Sequence, residues 1–291
     1  MNEIGGVPSA SPFLALDIGA SKVDVAVVDG DGLILSRGRV DVTAHGSDLF
    51  DAIVHESRSV LNGREVSAVG VGCAGPMTRG GETVSPLNIV GWREFPLRRS
   101  LHDALDLDIF IEGDARALAL AEGAFGAARD QTSYVSMVVS TGVGGGFVLN
   151  GRLLDGETGN AGHIGHLNVV PNGALCSCGA FGCLEAEVSG RAIEARTGRP
   201  AIEADLSTRQ RTGELVGRAV GTLSSVLDFR HCYVAGSVAL GFGDEFFDAA
   251  NKAAHSVAMM SYSHDIEIRP SQLGADGPIL GAAVIARRGM Q

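Results

Sequence analysis

One short segment of the chain contains four residues that could bind a metal ion together. His166, Cys176, Cys178 and Cys183 lie within eighteen positions of one another in GHIGHLNVVPNGALCSCGAFGCLE. Thiolate and imidazole groups are the usual ligands of Zn²⁺, and three Cys with one His complete its tetrahedral coordination. The set predicts a closed, structural zinc site that shapes a loop and performs no chemistry.

Two other interpretations of these cysteines stay open at this stage, a redox-active pair and buried unpaired thiols. A disulfide framework is disfavoured because the chain has five Cys and opens without a charged, apolar signal segment. The remaining two, Cys73 and Cys232, lie in the apolar runs AVGVGCAGP and LDFRHCYVAGS. Small buried hydrophobes are expected there, and no role is assigned to them.

Composition excludes several classes of function. The 291 residues suffice for two lobes, and hydrophobic residues make up 45% of them. No apolar run reaches the roughly 18 residues that a membrane span requires. A formal charge of -11 without a Lys/Arg cluster argues against a nucleic-acid partner. Reduced cysteines and the lack of an export signal lead us to expect a cytoplasmic protein.

Two segments share a pattern of strand, glycine turn and strand. In FLALDIGASKVDVAVVDGDGLILSRGRV, residues 13–17 and 22–28 are predicted strands around a turn at 19–21. In SYVSMVVSTGVGGGFVLNGRLL, a predicted glycine turn at 142–146 separates two strands, and an Asn150-Gly151 hairpin turn follows. The two copies predict a duplicated, two-lobed architecture. Each turn could bind phosphate through backbone N–H groups, although neither has the Walker order, and a plain hairpin remains the alternative.

Two polar residues are placed where strands give way to other structure. Asp114 follows an apolar run in LDIFIEGDARALALAEGAFGAAR and begins an Ala/Leu-rich helix. Its carboxylate could cap the helix, or it could remove a proton from a substrate hydroxyl, and the two roles are compatible. Asn88 lies with the single Trp in SPLNIVGWREFPL, a loop that could form one wall of a ligand site.

Three motifs together give a specific resemblance. LDIGASK, STGVGGG, and GHIGH followed by CSCGAFGCLE have the order and spacing of the ROK family of repressors, open reading frames and sugar kinases. The resemblance runs from about Phe13 to Ala286 and includes YVAGSVAL and GPILGAAVIA. It implies an α/β, actin-like (ribonuclease H-like), duplicated two-lobed fold with a structural zinc loop. It also implies that ATP and Mg²⁺ are used to phosphorylate a sugar in the cleft between the lobes.

The resemblance also implies roles for individual residues. Asp114 would be the general base that takes the proton of the sugar 6-hydroxyl, while Asn88, Glu185 and His166 would contact other sugar hydroxyls. Zinc on one ring nitrogen of His166 would fix the orientation of the other. The nucleotide would be bound by two phosphate loops and an adenosine loop, comprising Asp17, Gly19, Ser21, Lys22, Thr141, Gly142, Gly144, Gly145, Gly236 and Ser237.

Three positions depart from the commonest family pattern. Ala20 replaces a glycine of the first phosphate loop, and Gly113 replaces an Asn that binds the sugar. His163 replaces a Glu, giving AGHIGH in place of AGEIGH. Because a neutral His offers one donor and one acceptor, the pocket should prefer a different sugar, and this His resembles the bacterial N-acetylmannosamine kinases. The sequence thus predicts phosphorylation of N-acetylmannosamine at its 6-hydroxyl, with glucokinase or other hexose kinase activity as the alternative.

A regulatory role is the alternative of another class. Sugar-sensing repressors of this family carry a helix-turn-helix region before the first phosphate loop, whereas only twelve residues precede it here, so DNA binding is not expected. A non-catalytic sugar-binding protein would not need Asp17, Lys22 and Asp114.

The expected layout is a disordered segment 1–11, a small lobe 12–114 with the C-terminal helix 278–291 packed on it, and a large lobe 115–277. Further helices are predicted at 209–229 and 244–260. A homodimer or homotetramer is expected from the resemblance.

Overall fold

The computed structural model describes residues 11–19, 21–86 and 89–290. The chain divides into two compact units. The first comprises the described residues of Met1–Ala121 with Glu157–Asn160 and Ala275–Gln291, and the second comprises Glu122–Gly156 and Ala161–Gly274. The division falls inside a helix, seven residues beyond Asp114, and the two-lobe boundaries expected from the sequence stay a prediction.

The first unit contains a five-stranded sheet with the strand order β3-β2-β1-β4-β5. Strands β1, β2 and β3 form an antiparallel meander, whereas β4 and β5 continue the sheet from β1 as parallel strands. The five strands are β1 (Phe13–Ile18), β2 (Lys22–Val28), β3 (Ile34–Asp41), β4 (Val69–Cys73) and β5 (Ile109–Gly113).

The second unit contains a sheet with the order β10-β9-β6-β7-β8. Here β6 and β7 are antiparallel, β7 and β8 are antiparallel, and β9 and β10 extend the sheet from β6 in parallel. In the reverse direction this order is β8-β7-β6-β9-β10, which has the same connectivity as β3-β2-β1-β4-β5 of the first sheet. The predicted duplication is thus confirmed. The strands are β6 (Tyr134–Val139), β7 (Val143–Leu149), β8 (Arg152–Leu153), β9 (His231–Ala235) and β10 (Glu267–Pro270).

The second glycine turn is shorter than the sequence predicts. Strand β7 begins at Val143, so Gly144, Gly145 and Gly146 are strand residues that pair with β6. A Cβ at Gly145 would lie 2.8 Å from Cγ2 of Ile164, so the glycine lets the segment carrying Ile164 pack directly on the strand. The prediction of a turn at 142–146 is therefore wrong for residues 143–146.

The Asn150-Gly151 turn is confirmed. Asn150 has φ 52° and Gly151 has φ 75°, the left-handed pair of a tight hairpin turn, and β8 follows at once.

Five helices begin in the first unit, and one of them closes its core. Helix α10 packs on β1, β4 and β5. The core of this unit includes Leu14, Leu16, Val69 and Val71. The helices are α1 (Val42–His45), α2 (Leu49–Leu61), α3 (Leu97–Leu105), α4 (Asp114–Ala124) and α10 (Gly277–Gly289).

The second unit contains five further helices, of which two form its main helical layer. Helices α7 and α9 cover most of the two stretches predicted to be helical, and their contact is the most extensive between elements of the described ranges. No helix of the described ranges is long and apolar enough to cross a bilayer. The helices are α5 (Leu184–Val188), α6 (Gly190–Thr197), α7 (Leu206–Leu227), α8 (Ser237–Phe242) and α9 (Asp244–Val257).

Glycines four residues apart allow α7 and α9 to pack closely. Cβ atoms at Gly213, Gly217 and Gly221 would lie 2.3, 2.0 and 2.6 Å from carbonyl oxygens of α9. A backbone carbonyl cannot turn aside as a side chain can. The separation of the two helices is therefore set by the absence of side chains along this face of α7.

We expect Gly217→Ala to lower the free energy of unfolding by at least about 2 kcal/mol, because the new methyl group forces α7 and α9 apart. Chemical denaturation followed by circular dichroism measures this change.

Gly241→Ala is the matched control. Gly241 also lies in a helix, α8, but a Cβ there meets no atom within 4 Å. Alanine has the higher helix propensity at both positions, so Gly241→Ala should leave stability equal or slightly raised. Equal stability of the two variants would show that the α7–α9 contact adjusts to the methyl group.

Candidate functional site

The structure brings the four predicted metal ligands together in the second unit. One ligand atom from each of His166, Cys176, Cys178 and Cys183 lies within 4.8 Å of the other three. Nδ1 of His166 is 3.6 Å from Sγ of Cys176, and the sulfur atoms of Cys178 and Cys183 are 3.7 Å apart. Ligands of a tetrahedral zinc ion with Zn–S bonds of about 2.3 Å are separated by roughly 3.8 Å. The cluster could hold a zinc ion.

Backbone turns assemble this cluster. The N–H of Cys176 donates to the carbonyl of Ala180, and the N–H of Gly179 donates to the carbonyl of Cys176. Gly182 has φ 72°, and a Cβ there would lie 1.7 Å from the carbonyl oxygen of Val170. Only glycine allows the chain to turn at this point, and the turn delivers Cys183 to the other three ligands.

Two thiols of the cluster have pKa values that are shifted in opposite directions. The pKa of Cys178 is lowered, first by a hydrogen bond from the backbone of Ala180, whereas burial raises the pKa of Cys183 to about 12. A buried thiol of this kind is a poor ligand until a cation displaces its proton. The donor set therefore fits a metal that binds thiolate.

A buried carboxylate, which the sequence analysis did not identify, anchors the segment that carries the candidate metal ligands. Glu187 in α5 accepts a hydrogen bond of 2.7 Å from the N–H of Ala174 and forms a 2.6 Å ion pair with Arg211 of α7. Burial by itself raises the pKa of Glu187, but these two partners lower it below its usual value. The loop between the ligands is thus tied to the helical layer, and no local signal links Glu187 to Arg211 in the sequence.

The two histidines of the GHIGH motif are neighbours. The rings of His163 and His166 have centroids 5.9 Å apart, and both side chains are exposed at the two ends of a 3₁₀ turn. Because Nδ1 of His166 faces Cys176, its Nε2 is the ring nitrogen left to contact a ligand. The ring of His166 is thus oriented so that Nδ1 can bind a metal while Nε2 contacts a sugar, as predicted.

The loop after β6 meets α5 and α8. Oε2 of Glu185 accepts a hydrogen bond of 2.9 Å from the N–H of Val143. Thr141 is exposed at the tip of the loop, and Oγ of Ser140 lies 3.0 Å from Oγ of Ser237 at the start of α8. Gly236, with φ 101°, lets α8 begin directly against the end of β6. The residues predicted to bind phosphate and adenosine in this unit therefore lie together.

In the first unit, two aspartates flank Gly72 at the carboxyl ends of the parallel strands. A Cβ at Gly72 of β4 would lie 3.6 Å from Oδ1 of Asp17 and 3.7 Å from Cα of Asp114. The pKa of Asp17 is raised to about 7, first by burial and then by the negative charges of Asp114 and Asp24. Oδ1 of Asp114 accepts a 2.7 Å hydrogen bond from the N–H of Ala115, as a helix-terminal carboxylate does. A cation at these strand ends would relieve the repulsion between the two carboxylates.

The first glycine turn is closed by a 3.0 Å hydrogen bond from the N–H of Gly19 to the carbonyl of Lys22, with Ser21 exposed at its tip. Nζ of Lys22 lies 2.7 Å from the buried carboxylate of Asp24, which also accepts from Arg39. Asp24 was missed by the sequence analysis. Its alternation with Lys22 on β2 is the only local signal that could have found it.

Two of the residues discussed above cannot be placed. The predicted sugar contact Asn88 and the substituted loop residue Ala20 lie outside the described residues.

Comparison with known proteins identifies the family. A model of the ROK family matches residues 13–289. The chain is 32% identical over 295 residues to an N-acetylmannosamine kinase of Yersinia pestis, covering 94% of this chain and 98% of that protein. It is 36% identical over 180 residues to a glucokinase of Streptomyces coelicolor, covering 62% of this chain and 57% of the glucokinase. The chain thus spans little more than half the length of that glucokinase.

A solved structure agrees with these matches. The ROK family glucokinase of Streptomyces griseus, in complex with glucose and AMPPNP, superposes with a TM-score of 0.83 at 28% identity, covering 96% of this chain and all of that one. The family model and the Yersinia kinase each extend over more than nine tenths of the chain. This chain belongs to the ROK family.

Proposed function

We propose that the protein is a sugar kinase that uses ATP to phosphorylate the 6-hydroxyl of N-acetylmannosamine. The observation that carries the kinase proposal is the pair of carboxylates Asp17 and Asp114 at the carboxyl ends of parallel strands in the first sheet. Phosphoryl transfer depends mainly on positioning and on neutralising charge, and here one carboxylate can position the attacking hydroxyl while the other can hold a cation that neutralises the phosphates. Membership of the ROK family and the kinase names of its relatives support the same reaction.

In this mechanism the two carboxylates have different roles. Asp114 accepts the proton of the attacking sugar hydroxyl, and the hydrogen bond from Ala115 holds its side chain in place. Asp17 is the group that would hold Mg²⁺, which supplies positive charge to the phosphates when it is bound. The pKa of Asp17 is raised first by burial and then by the charge of Asp114, and a bound cation would offset both effects.

The proposed nucleotide contacts are mostly backbone groups. Gly19, Ser21 and Lys22 would form the first phosphate loop, and Thr141 and Gly142 the tip of the second. Gly144 and Gly145, being strand residues, would line the approach to it. Gly236 and Ser237 would lie near adenosine.

The proposed sugar contacts in the second unit are Glu185, His163 and Nε2 of His166, and Asn88 stays a further predicted contact. A zinc ion bound by His166 and the three cysteines would hold the ring of His166 in a fixed orientation. Zinc would have a structural role only, because four protein ligands would fill its coordination sphere. His163 is the residue on which we base the choice of N-acetylmannosamine.

Glucose is the second candidate substrate. The glucokinase of Streptomyces coelicolor is 36% identical over the aligned region, a higher identity than that of the Yersinia kinase. Family membership therefore does not distinguish the two sugars. Assembly into a homodimer or homotetramer stays a prediction from the resemblance.

We expect Asp114→Asn to lower kcat by about 100- to 10,000-fold, because the amide cannot accept the proton of the sugar hydroxyl. Asn keeps an oxygen for the N–H of Ala115, so the melting temperature and the Kd for sugar should change little. A coupled assay of ADP release and calorimetric sugar binding test this. Near-normal turnover would remove Asp114 from the role of base.

The same assay, run with a panel of sugars, tests which of them is the preferred substrate. The panel comprises N-acetylmannosamine, N-acetylglucosamine, glucose, mannose and fructose. N-acetylmannosamine should give the highest kcat/KM. His163→Glu should raise the ratio of glucose to N-acetylmannosamine by roughly tenfold, since a carboxylate accepts two hydroxyl hydrogen bonds where the imidazole accepts one. His163→Gln, which is also neutral, is the control and should shift the ratio much less. A tenfold preference of the parent for glucose would contradict the proposal.

Metal analysis of freshly purified protein should find about one equivalent of zinc. Cys178→Ser should lower both the zinc content and the melting temperature, because the loop loses one of four ligands. Cys232→Ala is the control, since this thiol lies in β9 away from the cluster, and its zinc content should equal that of the parent. Less than about half an equivalent in the parent would argue against the four-ligand site.

A further inference from the structure

Glu185 contacts the backbone of the loop that we propose to bind phosphate. Its Oε2 atom accepts a 2.9 Å hydrogen bond from the N–H of Val143, the first residue of β7. The side chain is half-buried, and α5, from which it projects, starts directly after the metal ligand Cys183. The metal-binding segment thus reaches the loop after β6 through one carboxylate.

Gly142 makes this contact possible. A Cβ at Gly142 would lie 2.9 Å from Oε2 of Glu185, closer than a methyl group and an oxygen can approach. The absence of a side chain at this position lets the carboxylate sit against the turn. Gly142, which the sequence predicts to bind phosphate, therefore also leaves the space that the carboxylate of Glu185 occupies.

The surrounding contacts hold the rest of the turn. The N–H of Ser140 donates to the carbonyl of Gly142 at 2.9 Å, and the N–H of Gly190 donates to the carbonyl of Ser140 at 2.7 Å. The start of α6 therefore fixes one end of the turn, while Glu185 fixes the other end at Val143. The exposed tip at Thr141 lies between these two points.

We infer that Glu185 is a positioning residue for the nucleotide as well as a sugar contact. By fixing the N–H of Val143, the carboxylate orders the backbone of residues 141–143 before the nucleotide arrives. A turn that is already ordered loses less conformational entropy on binding phosphate. This inference rests on the proposed function, in which this loop binds the phosphates of ATP.

The carboxylate has a second oxygen for the sugar. Among the residues that the structure describes, none donates a hydrogen bond to Oε1 of Glu185. One side chain can therefore serve both substrates, through Oε2 at the loop and through Oε1 at a sugar hydroxyl. A residue that contacted only the sugar would have no effect on nucleotide binding in the absence of sugar.

Calorimetric titration of the full-length protein with AMPPNP and Mg²⁺, without sugar, tests the inference. Glu185→Ala should raise the Kd for AMPPNP by at least about fivefold, the effect of losing one hydrogen bond to a charged group. Glu185→Gln keeps an oxygen that can accept from Val143, so its Kd should stay within about twofold of the parent value. If Glu185→Ala does not fold, Gly142→Ala, whose methyl group displaces the carboxylate, should raise the Kd in its place.

Glu194→Ala is the matched control, because it removes an exposed carboxylate of the same charge from the neighbouring helix α6. Its Kd and melting temperature should equal those of the parent. An unchanged Kd in Glu185→Ala, or a lower one, would overturn the inference, and so would equal losses in Glu185→Ala and Glu185→Gln. A parent that binds AMPPNP but phosphorylates no sugar would refute the kinase proposal alone. A parent that does not bind AMPPNP would refute both.

Discussion

Parallel pairing of strands is the constraint on which the candidate site depends. In the first sheet β1, β4 and β5 run in the same direction. Asp17 near the end of β1 and Asp114 just after β5 therefore lie near each other at the carboxyl ends of these strands. In the second sheet β6 and β9 are parallel, and the residues that follow them, Ser140 and Ser237, are in contact. Loops beyond the carboxyl ends of parallel strands are where α/β proteins place their ligands.

The parts of this arrangement that could be predicted from the sequence have strong local signals. Short, almost fully buried apolar runs and tight turns identify the β1–β2 and β6–β7 hairpins, and the short spacing from Cys176 to Cys183 identifies the candidate metal ligands. Asp114 could be identified because a carboxylate at the junction of a strand and a helix is uncommon without a capping or chemical role. In each case the partners lie close in the chain, so that spacing determines geometry.

The parts that could not be predicted depend on contacts between distant segments. Glycines 144–146 look like a turn, because a residue without a side chain gives no alternation of buried and exposed groups. They are strand residues because they pair with β6, and the segment that carries Ile164 packs against Gly145. The bond of Glu185 to Val143 joins residues 42 positions apart, and the ion pair of Glu187 with Arg211 joins residues 24 apart. Only the folded chain brings these charges to their partners.

Two of the three substitutions that set this chain apart from the commonest ROK pattern, Gly113 and His163, change hydrogen-bonding groups without requiring a change in packing. A Cβ at Gly113 would make ordinary contact, 3.6 Å, with the flexible side chain of Arg116, so the usual Asn would find space there. His163 is exposed, and its backbone needs no special conformation. Because the fold does not require a particular residue at either position, both residues can vary with the sugar that is bound. The same reasoning separates them from Gly142, where a Cβ would lie 2.9 Å from Oε2 of Glu185 and would displace that carboxylate.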